Sequence, residues 1–157
     1  MNEALEQVAL AIHHSPLFSL DIIFSKAERY LLAGQSGWYF HVTCVVPHSK
    51  GRFTYEGRDI CLELDAFEHF GEQLEAMRTG KASNAELAEV GRMLTLGLEV
   101  QGRRTITTIR ICEAQTDNDM TLLSAGFKVD YDLLVNKLCE DLREFNPKLR
   151  DIHPEPV

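Results

Sequence analysis

The chain has 157 residues, 45% of them hydrophobic and 25% charged, with a formal net charge of −8. That length suits one domain over residues 1–157, and that balance excludes a mostly disordered chain. The acidic balance argues against a nucleic-acid binder, which presents a basic patch to phosphates, and the apolar stretches are too short to span a bilayer.

The start, Met1-Asn2-Glu3, lacks the basic beginning of a secretory signal, so a cytoplasmic protein is expected. Leu5, Val8, Ala9 and Ile12 fall at helical spacing, which predicts an N-terminal helix over 2–13 within residues 1–16; Asn2 is its cap and Pro16 blocks its continuation. Phe18, Leu20, Ile22 and Phe24 then alternate with Ser19, Asp21, Ile23 and Ser25 as a strand does. Residues 26–33 fit a helical turn or a strand. Gly34 to Gly37 reads as a turn. Phe40, Val42, Cys44 and Val46 mark the next strand, Pro47 to Gly51 a turn, and Phe53 to Leu64 either two short strands or one long strand bulged at Gly57.

Asp65 followed by Glu68 predicts a capped helix whose stripe is Phe67, Phe70, Leu74 and Met77, closed by Gly80. Residues 84–90 suggest a further helical turn capped by Asn84. Leu94, Leu96, Leu98 and Val100 form a strand, Gln101-Gly102 a hairpin turn, and Arg103 to Cys112 the return strand. Its Ile106, Ile109 and Ile111 do not share one parity, which predicts a bulge near Thr107-Thr108. Thr116 to Asp119 is a polar turn, and Thr121 to Val129 the last strand. Asp130 caps a helix bearing Leu134, Leu138, Leu142 and Phe145, widened by Val135 and Cys139. Pro147 ends it, and residues 147–157 form a loose tail. The pattern predicts an α+β fold, a twisted, mainly antiparallel sheet with two or three helices packed on one face.

Signatures of catalysis are missing: no GxSxG elbow, P-loop, GxGxxG or HExxH motif occurs. His13-His14 is the most tempting metal feature, but two polar residues at a helix end explain it, and metal sites need three or four convergent ligands. No metal or cofactor is expected. The cysteines Cys44, Cys61, Cys112 and Cys139 lie in apolar segments with no paired spacing, as reduced core or near-core thiols do. Trp38, the sole tryptophan, is expected in the core. His41 falls on the outer face of its strand beside Tyr39 and Thr43, and an enzyme would have to be built around it and a carboxylate.

The remaining constellation is acidic. Glu68, Glu72 and Glu75 share one side of the first central helix, Asp117 and Asp119 flank a loop, and Asp132, Glu140, Asp141 and Glu144 load the last helix. A solvated surface explains them; so does a docking surface for a basic protein partner. A homodimer formed through a sheet edge or the N-terminal helix is the alternative.

The element order carries a resemblance. Gly37-Trp38-Tyr39-Phe40-His41-Val42 opens an early strand, Leu64-Asp65-Ala66-Phe67-Glu68-His69-Phe70 leads a strand into a helix, and Ala125-Gly126-Phe127-Lys128-Val129-Asp130 leads into the last helix. Over residues 37–146 the chain resembles the WapI-type bacterial immunity proteins and their uncharacterised relatives. That resemblance implies a non-catalytic toxin inhibitor, needing no cofactor, that binds and occludes a cognate toxin domain.

Overall fold

The computed structural model describes residues 7–14, 16–30, 35–102, 104–114 and 119–156. They form an α+β fold of antiparallel sheets and two helices that divides into two compact units.

The first unit spans Met1–Cys61 and Pro147–Val157. Its strands are β1 (Ala9–His14), β2 (Phe18–Tyr30), β3 (Gln35–His48) and β4 (Gly51–Cys61), each antiparallel to the next. A short β9 (Glu155–Pro156) lies parallel to β2 at Glu28 and Arg29. The alternation read from β2 and β3 holds: Phe18, Leu20, Ile22, Phe40, Val42, Cys44 and Val46 are buried. In β2 the register slips between Phe24 and Lys26, so parity switches and Ala27 is the next buried residue. The ambiguous stretch from 26 is therefore strand as far as Tyr30, and Gln35, Ser36 and Gly37 belong to β3 rather than to a turn. β4 is one strand bulged where expected, with Gly57 opposite Val42, Ile60 opposite Phe40, and Asp59 at φ 53° taking up the extra residue. Trp38, expected in the core, is half-buried.

The N-terminal helix is corrected over its described part. Ala9–His14 is a strand that buries Leu10 and Ile12 and turns back onto β2 through Leu17 N–H to His14 O, 2.7 Å. The run Val8 to Ile12 satisfies both periods, and the neighbouring β2 edge supplies ladder partners that an isolated short helix lacks.

The second unit spans Leu62–Asn146. It contains α1 (Leu64–Arg78), β5 (Asn84–Ala88), β6 (Leu94–Gln101), β7 (Arg104–Ala114) and β8 (Asp119–Asp130), and it begins α2 (Tyr131–Arg150). The four strands form a second antiparallel sheet in chain order, where one sheet for all strands was expected. Strand pairing is a non-local choice on which side-chain period is silent.

α1 begins two positions early. Glu63 is the cap residue, without a side-chain capping bond, and Asp65 lies in the first turn, where its charge still suits the helix N-terminus. Gly80 closes α1 as expected. At φ 75° it completes a Schellman motif, with Gly80 N–H to Met77 O at 3.0 Å and Lys81 N–H to Ala76 O at 2.8 Å. The expected helical turn at 84–90 is instead β5, alternating buried Ala85 and Leu87 with exposed Asn84 and Glu86.

No bulge occurs at Thr107-Thr108. β7 runs in register with β6 from Arg104 to Ile111, placing Thr105, Thr107, Ile109 and Ile111 on the buried face and Ile106 on the other. The bulge lies further on, between Ile111 and Cys112 against β8. Gln101 pairs with Arg104, so the hairpin turns one residue later than expected, through Gly102 at φ 64°.

Asp130 caps α2 as expected, its Oδ1 accepting Asp132 N–H at 3.0 Å. α2 passes through Pro147 to Arg150, and buried Leu149 anchors the added turn. Only part of the tail is thus outside regular structure. Within the unit the stripes of α1 and α2 meet: the Phe67 and Phe145 rings lie 5.0 Å apart, and Asn146 Nδ2 donates to Phe67 O at 3.4 Å.

Thr105 and Thr107 are buried and their hydroxyls have no hydrogen-bond partner among the described residues. An unsatisfied buried hydroxyl costs stability, so Thr107→Val should raise unfolding free energy by about 1 kcal/mol in urea titrations.

Candidate interaction surface

The acidic residues read from the sequence separate into two roles. Glu68 and Glu72 lie on α1, Glu68 half-buried and Glu72 with 80% of its side chain exposed, near the His69 imidazole at 3.9 Å. Asp65, exposed and seven positions before Glu72, extends this acidic side into the first turn, and Glu63 at the cap is exposed as well.

Glu75 is different. Its carboxylate accepts from Arg78 Nε at 2.8 Å and, through its other oxygen, from Arg143 on α2. The Arg78 hydrogen bond is the largest cause holding the Glu75 carboxyl below its ordinary value, with Arg143 adding to it and burial opposing. Glu75 therefore ties two helices together rather than presenting charge outward. The i, i+3 pairing with Arg78 is visible in the sequence; Arg143, 68 positions away, is not.

Asp119 opens β8, and Asp117 lies outside the described residues. The acidic surface thus centres on the first half of α1. On α2, Asp132, Glu140 and Glu144 are exposed, while Asp141 pairs with Lys137 at 2.7 Å.

Strand alternation puts His13 and His14 on opposite faces of β1, so they do not converge. His13 Nε2 meets Asp21 Oδ1 at 2.8 Å, and His14 packs 6.3 Å from the Phe18 ring. His41 gains a carboxylate that sequence reasoning had not placed: Nε2 lies 3.3 Å from Glu56 Oε1. The two side chains are 33% and 55% exposed, so the contact is solvated. Among the described residues no group of three or more His, Cys, Asp or Glu is disposed to hold a metal ion, and no helix is long and apolar enough to cross a membrane.

Several depressions mark the second unit. One of about 760 Å³ is lined in part by Met77, Arg78, Val100 and Asp130, yet Arg78 is engaged with Glu75 and Asp130 with the α2 cap. Another, about 490 Å³, lies on the outer sheet face among Glu86, Arg92, Thr95, Thr108 and Arg110. There Arg92 Nη2 pairs with Glu86 Oε1 at 2.8 Å. The loop carrying Arg92 is held by Glu89, only 8% exposed, whose Oε2 accepts Met93 N–H at 3.0 Å.

Compared with family models, curated proteins and solved structures, the chain matches none.

Two outcomes follow from these environments. Glu75 has a folded-state pKa below its unfolded one, so its contribution is present above the unfolded carboxylate value of 4.5 and lost as pH falls through the lowered one. Glu75→Gln should cost up to about 1 kcal/mol at pH 7, the range of exposed pairs, and the gap to wild type should close in urea titrations at strongly acidic pH. Burial pushes the Cys44 thiol up to about 11 from 9.0 and raises Cys139 as well. Both thiols are protonated at neutral pH, and any stability they confer fades only as pH rises from the unfolded value towards the raised one. Alkylation of the folded protein at pH 8 should label half-buried Cys61 and Cys112 before buried Cys44 and Cys139, as read by peptide mass.

Proposed function

We propose that this protein is a non-catalytic binding protein of the immunity type, which occupies a basic bacterial toxin domain in the cytoplasm of the cell that makes it. The observation that supports the reading is the acidic side of α1. Asp65, Glu68 and Glu72 line its first half, in a chain of net charge −8, while the arginines nearest its far end are committed to Glu75. Acidic groups on a rigid helix attract a basic partner at long range and orient its approach. The element order that resembles WapI-type immunity proteins supports the same reading. Glu75, Glu89 and Asp130 are engaged in an ion pair, a loop closure and a helix cap, which leaves the exposed carboxylates of α1 for surface contact.

Co-expression with the products of the genes that neighbour its own tests this. The protein should protect the host and co-purify with the toxin as a salt-sensitive complex. Glu68→Gln with Glu72→Gln should slow association about tenfold at low salt. An unprotected host and no complex would sink the reading.

A further inference from the structure

An open sheet leaves unpaired peptide groups along its outer strands, and proteins guard such edges with shortness, charge, bulges or a covering element. Among the described residues, three of the four edges are guarded. β1 has only six residues. β5 has five and is covered by α1, whose Gln73 Oε1 accepts Glu86 N–H at 3.0 Å. β4 is long, but it carries Arg52, Glu56, Arg58 and Asp59 and is bulged at Gly57.

β8 is the exception. It is 12 residues long, its strand partner is β7, and after its bulge the register is regular from Leu123 to Asp130. Between Leu123 and Val129 the one charge is Lys128. The core-side residues are also incompletely covered. Thr107, Ile109 and Ile111 on β7 are at most 1% exposed, whereas Phe127, Ala125 and Leu123 opposite them on β8 are half-exposed. β4 and β8 hold the same place in the two sheets, each the last strand before a helix, so the guarded edge is an internal control for the open one.

We infer that two copies of this chain pair through their β8 edges, antiparallel about a two-fold axis at Ala125. Directly opposed residues share a sheet face, and with the axis at Ala125 every opposed pair has matching parity. Leu123 of each copy then stands opposite Phe127 of the other, with the small Ala125 side chains meeting at the axis and Ser124 facing Gly126. The half-exposed apolar residues become the middle of a continuous eight-stranded sheet. The two Lys128 residues lie six positions apart along the paired strands, about 20 Å, beyond the screening length of about 8 Å at physiological salt. Charge also selects this occupant. The acidic groups that would draw a basic partner lie on α1, whereas the central β8 edge is nearly neutral, and the self-complementary neutral edge available to it is its own. Pairing at β8 does not depend on toxin binding at α1, so either can fail alone.

Sedimentation equilibrium on the full chain, without toxin, tests the pairing. The expected mass is twice 17.8 kDa. Ser124→Lys with Gly126→Lys places lysines opposite one another across the interface; both positions are exposed, and a Cβ at Gly126 meets nothing within 4 Å. This variant should raise the dimer dissociation constant about tenfold or more, with the far-UV spectrum unchanged. Thr54→Lys on the β4 edge should leave it unchanged. As a second measurement, Ala125→Cys should form a covalent dimer under mild oxidation. A monomeric wild type at all soluble concentrations would overturn the inference. So would a dimer indifferent to the β8 lysines, dissociation by Thr54→Lys, or a folded Ala125→Cys dimer that does not cross-link.

Discussion

Each strand of an antiparallel sheet satisfies its neighbours on both sides, and the outermost strands have a neighbour on only one. This chain meets that constraint twice, because four strands in meander followed by a helix occur first as β1–β4 with α1 and again as β5–β8 with α2. The two passes differ in how their edges end. β4 is interrupted by a bulge and studded with charge, whereas β8 runs regular and nearly neutral into Asp130, which turns the chain into α2. Among the described residues β7 is the strand partner of β8, and Leu123, Ala125 and Phe127 on the core side of β8 are half-exposed.

Charge is distributed on a different plan. The carboxylates that hold structure do so at defined partners: Glu75 between Arg78 and Arg143, Glu89 on the loop before β6, and Asp130 at the helix cap. Those that remain outward on α1 and α2 lie on helical surfaces, where side chains are rigidly spaced but solvated. One surface suited to attracting a basic macromolecule and another suited to accepting a neutral strand can therefore coexist without competing for the same residues.

Much of this was legible in the sequence where a local signal was unambiguous. Phe40, Val42, Cys44 and Val46 alternate without exception, the stripes of α1 and α2 are long enough to exclude a strand, and Gly80, Asp130 and the Gly57 bulge announce themselves by residue type. Short apolar runs misled. Val8 to Ile12 and Ala85 to Leu87 satisfy a helical and an extended period alike, and pairing with a neighbouring strand decided both. Ile106 suggested a bulge because isoleucine was assumed to face inward; the buried face instead takes Thr105 and Thr107. Pro147 ordinarily stops a helix, but only one turn follows it and Leu149 holds that turn by burial. The acidic side of α1 was readable from spacing, whereas Arg143 at Glu75 and Glu56 at His41 are products of the fold. The openness of β8 could be recognised only once the other three edges had been seen to be guarded.

Backbone amide exchange along β8, followed as the protein is diluted, tests the account most directly. Outward-facing amides between Leu123 and Val129 should be protected at high concentration and lose that protection on dilution, while those on the outer edge of β4 exchange rapidly throughout. Equal and rapid exchange at both edges, independent of concentration, would contradict it.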